Sequence, residues 1–345
     1  MGALLNRRRY MGGVVEKPET RYIAIFDVVD DTAATRVSTC SNFNNQVQSI
    51  EIDGVLQSTK SQTYQLSLGT HTVKIELKTN QDNNNQLFSN CSRLTSIVIP
   101  EGTTSLAYRF AASCGNLSSI TIPKSLTTIN ATGVFQQSGL QKDIYSPDVA
   151  TITNISYGGS YQYLFNNKGR LFIEGNEVHS ISMSIVKDGV FYNGCLSLEN
   201  VTIENGVDTI GTSAFRGCSN ITSFTFPSTL VTINGNAFNG CTSVEEFVLP
   251  NGLETIGDAA FSGCGKVTTI DLPSSVESIG ASCFQYCGKL ASIIVRATTP
   301  PTCGSSILYG SLNTGKIYVP AASVEDYKAA SGWSSYANRI LAIPT

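Results

Sequence analysis

The chain has 345 residues, with 23 Lys and Arg against 26 Asp and Glu, a net charge of −3 and only 14% charged residues, where an ordinary soluble domain has about 25%. So sparse a charge argues against binding nucleic acid, which needs clustered cations to displace counterions, and two histidines argue against an imidazole-rich metal site. Fifteen Phe, fourteen Tyr and a mean hydropathy of +0.02 are too apolar for a disordered chain, and no apolar run reaches the roughly 18 residues that span a membrane.

Residues 1–20 read as a basic N-terminal arm. Ala3, Leu4 and Leu5 precede Arg7, Arg8 and Arg9, the reverse of a secretory signal, in which basic residues come before the apolar stretch. Export by the general route is therefore not expected. Gly2 has Asn6 where myristoylation prefers Ser or Thr. Arg7, Arg8 and Arg9 have two readings: a solvated basic tail, or an arm that docks on an acidic or larger partner.

Residues 21–80 contain five short alternating or apolar runs: Tyr22–Phe26, Arg36–Cys40, Ser49–Ile52, Thr63–Leu68 and Thr72–Leu77. Asp53-Gly54 and Leu68-Gly69-Thr70 are turn signals between them. Five strands in so short a stretch predict a small all-β, sandwich-like domain. The polar run Thr79–Gln86 reads as a linker or an exposed entry loop.

From residue 86 the sequence repeats itself. Phe215, Phe238, Phe261 and Phe284 are evenly spaced, with Phe191 one residue further out, and Cys195, Cys218, Cys241, Cys264 and Cys287 keep the same step without a break. One unit runs Phe261-Ser-Gly-Cys264, Val267, Ile270-Asp-Leu-Pro273, Val276, Ile279-Gly280, Phe284. Ile270 and Leu272 point one way and Asp271 the other, the period of a strand; Pro273 lacks the N–H that would continue the ladder. A coil of about 23 residues cannot bury its own apolar face, so coils must stack on one another, and the Phe positions should form a column. Looser copies run through Cys91, Ile97-Val-Ile99-Pro100 and Cys114, Ile120-Thr-Ile122-Pro123.

Residues 135–190 depart from the register. Phe135, Leu140, Ile144 and Val149 keep a trace, Tyr157-Gly-Gly-Ser-Tyr161-Gln-Tyr163 intervenes, and Leu171-Phe-Ile173 resumes it. The segment reads either as a decayed coil with a surface loop or as a contact patch made by Tyr157, Tyr161 and Tyr163, since insertions in repeats map to one face and Tyr offers amphipathic area at low entropy cost. At the end, Ile317-Tyr-Val319 reads as a last strand. Pro320 opens a helix, Ser323 with Asp326 approximates a capping box, and Gly332 stops it.

The unit Ala-Phe-x-Gly-Cys-x-x-Leu-x-x-Ile-x-Ile-Pro-x-x-Leu-x-x-Ile-Gly resembles the BspA-type leucine-rich repeat of gut-bacterial surface proteins, over about residues 86–319 and most firmly 191–295. The ending Lys316–Pro320, Ser323–Ala330, Trp333 and Ile340 is similar to the C-terminal cap of Bacteroides-type members. The expected fold is mainly β: a leucine-rich-repeat solenoid of about 23-residue coils over 86–319, degenerate or inserted at 135–190, behind a small β-sandwich-like domain at 21–80 and followed by a helical cap at 320–345. The resemblance implies adhesion or recognition. Together with the missing export signal it points to a phage of such bacteria: a virion component assembled in the host cytoplasm as a tail fibre, spike or head decoration. It would touch other virion proteins through residues 1–80, forming an oligomer, and a host surface protein or glycan through the coils. A bacterial cell-surface adhesin and a purely structural virion protein remain the alternatives.

No catalytic constellation is visible. Seven of the ten cysteines occupy one repeat position, which explains them as small buried residues rather than zinc ligands, whose spacing is different. Cys40, Cys283 and Cys303 lie off that lattice. His71 and His179 have no flanking signature, Glu245, Glu246 and Asp271 sit on strand surfaces, and no phosphate-binding glycine motif occurs. The expectation is a protein that is not an enzyme, with no cofactor, no metal, no nucleic-acid partner and no membrane insertion.

Overall fold

A computed structural model describes residues 21–29, 35–37, 46–78, 84–129, 133–138, 143–157, 169–311 and 315–344, and Arg7, Arg8, Arg9, Cys40, Tyr161 and Tyr163 lie outside them. The chain forms a mainly β solenoid and divides into two compact units, Met1–Val178 and His179–Thr345.

The first unit begins with β1 (Tyr22–Val28), β2 (Thr35–Arg36), β3 (Val47–Ile52), β4 (Val55–Leu56), β5 (Thr63–Tyr64) and β6 (Gly69–Leu77). The coils follow: β7 (Leu94–Val98), β8 (Ser105–Leu106), β9 (Ser119–Thr121), β10 (Thr128–Ile129), β11 (Asp143–Ser146), α1 (Val149–Asn154), β12 (Ser156–Tyr157), β13 (Leu171–Ile173) and β14 (Asn176–Glu177). One sheet runs β14-β13-β11-β9-β7-β1-β6-β3-β4. The strands of the region expected as a small β-sandwich-like domain extend the coil sheet in antiparallel fashion. β1 pairs with β6 on one edge and with the first coil strand, β7, on the other; Tyr22–Phe26 are buried, so their backbone N–H and C=O groups need ladder partners on both edges. Of the expected strands Arg36–Cys40 and Thr63–Leu68, the structure shows the short pair β2–β5; Gln65–Ser67 are described and lie outside any strand, and residues 38–40 are outside the described residues.

The region from 135 onward keeps more of the coil than its sequence suggests. β11 continues β9 in parallel and carries β13 on its other side, while β12 continues β10. Here α1 replaces a turn; Asp148 Oδ1 accepts from both the amide and the hydroxyl of Thr151, each at 2.7 Å, and caps the helix.

In the second unit, β15 (Ser180–Met183), β16 (Asn200–Ile203) and β18 (Ser223–Thr225) form one parallel sheet, with β17 (Thr209–Ile210) between the last two in sequence. Next come β19 (Thr232–Ile233), β20 (Thr255–Ile256), β21 (Thr269–Leu272), β22 (Ser278–Ile279), β23 (Ser292–Val295), β24 (Thr302–Cys303), β25 (Lys316–Val319), α2 (Val324–Ala329) and β26 (Ile340–Ala342). β21, β23, β25 and β26 form a parallel sheet, and β17, β19, β20, β22 and β24 form the second wall of the coils. Neighbouring coils pair in step, Thr209↔Thr232↔Thr255↔Ser278, one coil per rung.

The phenylalanine column exists. Phe191, Phe215, Phe238, Phe261 and Phe284 are fully buried, with successive ring centroids 5.9, 5.7, 5.5 and 5.8 Å apart and interplanar angles of 21°, 3°, 12° and 10°. The cysteine column runs beside it. Cys218, Cys241, Cys264 and Cys287 each donate Sγ–H to the carbonyl of the phenylalanine one coil before, at 3.2–3.3 Å. A thiol suits this place because it is small, apolar enough to bury and still able to donate. Burial pushes the thiol of Cys218 well up, and that of Cys287 up to about 11, so these sulfurs stay protonated and unreactive.

Hydroxyls supply much of the remaining adhesion between coils. Ser118, Thr127, Thr222, Thr229 and Ser275 donate to carbonyls one coil back at 2.6–3.2 Å. That accounts for a Ser- and Thr-rich chain with little charge, since a hydroxyl reaches the next rung without the desolvation cost of an ion.

The C-terminal plug is larger than the sequence indicates. β25 is not the last strand; β26 adds to it in parallel. Trp333 and Tyr327 are fully buried; Trp333 Nε1 donates to Pro301 O and the Tyr327 hydroxyl to Ala297 O, both at 2.8 Å. Ser323 does not cap α2 with its side chain. A 3-10 turn at Ala321–Ser323 leads into the helix instead, with Ser323 N bonded to Pro320 O. The helix ends at Ala329 with Ala330 as its C-cap, and Gly332 lies beyond it at φ +83°, where a Cβ would sit 2.8 Å from Cys303 Cβ.

Candidate recognition surface

The coil strands present one residue in two to the core and the next outward. In the first unit Ile97, Ile120, Ile144 and Leu171 are buried, and the outward neighbours in register are Val98, Thr121, Tyr145 and Phe172. A second outward row holds Ser96, Ser119 and Asp143; Ser119 Oγ donates to Ser96 Oγ at 2.8 Å. Tyr145 and Phe172 stack at 4.7 Å and 16° across β11 and β13. Arg170 grips Asp143 with Nε at 3.0 Å and Nη2 at 2.6 Å, reaches Glu177 at 3.5 Å, and lies 5.2 Å over the Phe172 ring. Burial, with the neighbouring Asp143 adding to it, raises the Tyr145 phenol above its ordinary value, so it remains a neutral donor.

The second unit repeats this theme. Its outward row passes from Ser182, Thr202 and Thr225 to Asp271, Ile294, Tyr318 and Leu341. Arg296 forks onto Asp271 at 2.7 and 2.6 Å. Each unit therefore carries a strip of hydroxyls that gives way to aromatic and aliphatic groups beside one bidentate Asp–Arg pair, a geometry that fixes the guanidinium plane.

Of the site residues expected from sequence, Tyr157 is described. It lies in β12, in register with Ile129, half-buried and with its hydroxyl oxygen buried. Tyr145, Phe172 and the two Asp–Arg forks were not singled out. Their signal is the same two-residue step, Asp143-x-Tyr145 and Arg170-x-Phe172, masked by the 27-residue separation that the inserted segment creates.

His71 is structural. Its Nδ1 lies 2.6 Å from Asp53 Oδ2 and Nε2 2.9 Å from Ser67 O, while Asp53 Oδ1 accepts from Thr72 N. It locks the turn between β3 and β4. His179 pairs with Glu199 at 3.6 Å on the exposed surface. Among the described residues no group of three or more His, Cys, Asp or Glu could hold a metal ion, and no helix is long and apolar enough to cross a membrane.

The family described as "BspA type Leucine rich repeat region" matches residues 33–162 and 184–321, in six copies. The chain belongs to this family. No curated protein matches. Among solved structures, this BspA-type repeat protein is similar to the Treponema pallidum leucine-rich repeat protein TpLRR (21% identity, 70% of this chain and 87% of that one, TM-score 0.32). It is also similar to a leucine-rich repeat protein from Bacteroides ovatus (20% identity, 84% and 90%, TM-score 0.40). The pneumococcal vaccine antigen PcpA matches at 17% identity over 71% of this chain and 61% of its own length, with a TM-score of 0.48.

Proposed function

We propose that this BspA-type repeat protein is a non-enzymatic attachment protein whose outward strand rows grip a protein or glycan on a bacterial surface. The observation that carries the reading is the composition of those rows: hydroxyls, stacked Tyr145 and Phe172, and one Asp-held arginine in each unit, Arg170 and Arg296. Such rows offer rigid amphipathic area and adaptable hydrogen bonds.

We further propose that it works on a phage particle and is assembled in the bacterial cytoplasm, with the basic arm around Arg7, Arg8 and Arg9 and the N-terminal strands contacting other virion proteins. The thiols support this: all nine described cysteines are free, eight of them buried, as suits a chain that folds in a reducing compartment. The test is twofold. Purified particles and host membranes are compared by peptide mass spectrometry, and the chain is expected in the particles; recovery in the membranes alone refutes the virion role and selects a cell-surface adhesin. Binding of the intact chain to whole bacterial cells is then compared with that of Tyr145→Ala/Phe172→Ala. A drop of tenfold or more at unchanged melting is expected, and equal binding removes this face from recognition.

A further inference from the structure

Each coil of the second unit turns a corner through the left-handed region two residues after its phenylalanine, or after Leu308 in the last coil, with Gly194 also left-handed in the first. The corner residue is Asn193, Gly217, Gly240, Gly263, Tyr286 and Gly310 in successive coils, at φ +62°, +76°, +78°, +74°, +57° and +70°. The position is fixed by the ladder: the amides of Asn193, Gly217, Gly240, Gly263 and Tyr286 each donate to a carbonyl of the next coil, Tyr286 N to Tyr309 O at 3.0 Å. Gly suits this conformation, and Asn tolerates it. A bulky aromatic there is an outlier; the ladder holds it in place, and such outliers cluster at functional sites.

The Tyr286 ring is not used by the fold. It is 57% exposed, as Tyr309 beside it is 61% exposed. Their rings meet edge to face at 5.9 Å and 77°, leaving a corner with one open ring face and two phenols that have no hydrogen-bond partner among the described residues. The coil accommodates the ring: Gly310 underlies it, and a Cβ at that position would lie 2.6 Å from Tyr286 Cε1. The adjoining turns, Ala259–Gly265, Ala281–Gly288 and Gly304–Ser311, are themselves uncharged, with Asp258, Lys266 and Lys289 at their margins.

We propose that Tyr286 and Tyr309 form a binding site for a neutral sugar, with the C–H face of a pyranose ring against the open tyrosine face and its hydroxyls bonded to the two phenols. The negative face of an aromatic ring attracts such C–H groups, and Tyr adds a polar handle at its rim; both phenols are neutral donors and acceptors suited to sugar hydroxyls. This goes beyond the attachment reading, which concerns the strand rows, and can fail without it.

The experiment uses the full chain on a printed array of neutral glucose-, galactose-, mannose- and N-acetylhexosamine-terminated oligosaccharides. The intact chain is expected to bind at least one, and Tyr286→Gly and Tyr309→Ala to weaken that binding at least tenfold. Tyr286→Gly installs the residue that four of the six coils carry, so its melting temperature should hold or rise, which separates lost binding from lost folding. The proposal is overturned if the intact chain binds no neutral glycan, if Tyr286→Gly binds as well as the intact chain, or if the two variants lose only a protease-sensitive ligand, which would make the corner a protein contact. Cell binding that survives both variants leaves the strand-row reading standing and removes this one.

Discussion

The two units stack the same residue in two ways. In the second, the rings from Phe191 to Phe284 lie nearly parallel; in the first, Phe88, Phe110 and Phe135 meet edge to face, at 87° and 89°. The steps differ accordingly, 22 and 25 residues in the first unit against 24 and then a constant 23 in the second. When coil length is constant, each phenylalanine inherits the backbone and rotamer of the one before, and the rings superimpose. When it varies, the column shifts and the rings settle edge-on, which aromatic pairs accept equally well. Tyr22 of β1 enters the first column too, 5.8 Å from Phe110 and 6.2 Å from Phe88. A strand of another direction thus closes that end, whereas Tyr327 and Trp333 close the other unit.

Substitutions can break or sharpen this contrast. The largest effect is expected for Phe238→Ala, which sits between two parallel rings and also touches Phe224, Phe226 and Phe247. It should cost about 3–5 kcal/mol, read by denaturant unfolding; a melting shift near zero would show that the column does not bear the coils. Gly257→Ala comes next. Its Cβ would lie 2.5 Å from Gly235 N of the preceding coil, a backbone clash that cannot be relieved by a rotamer, worth about 1–3 kcal/mol; a variant of unaltered stability would mean that the coils tolerate a wider rise there.

Cys241→Ala should cost about 1 kcal/mol by removing the bond to Phe215 O, and Cys241→Ser should cost less, because a hydroxyl can make the same bond; the reverse order would deny the thiol its role as donor. The smallest effect is expected at His71. Its hydrogen bond to Asp53 raises its pKa, against a weaker pull from burial. The folded form therefore holds the proton more tightly, and the stabilisation is complete below about pH 6.5, the unfolded value, and lost as pH rises through the folded one. Amide exchange of β3 and β6 should quicken between pH 6 and 8 beyond its ordinary base dependence, and His71→Ala should abolish that excess. Asp53 is half exposed, so the change is small.

The repeats were legible because one spacing controls strand, turn and core at once: Phe, Cys and Ile-x-Leu-Pro fall in a single register, and the buried positions follow from it. The N-terminal strands were legible as strands but not as part of the same sheet, since the edge that β1 offers to β7 is a tertiary choice that alternation does not encode. The coil at 143–173 was obscured by a change of length, which moved Arg170 and Phe172 out of step with Asp143 and Tyr145 although the backbone restores their pairing. Tyr286 was readable in principle, as the one aromatic where the repeat has Gly, but its meaning depends on φ and exposure, which spacing alone does not supply.

One detail at the end of each phenylalanine column has a use beyond its place. Where the next cysteine is due, Ser138 and Ser311 stand instead. Ser311 Oγ donates to Phe284 O at 2.6 Å and accepts from Cys287 N at 3.0 Å; Ser138 Oγ donates to Ala111 O and accepts from Cys114 N at 3.2 Å. An oxygen both gives and receives here, where sulfur mainly gives, so serine ties off each phenylalanine column. An engineer who wished to lengthen this protein would splice whole coils in ahead of that serine and leave it last.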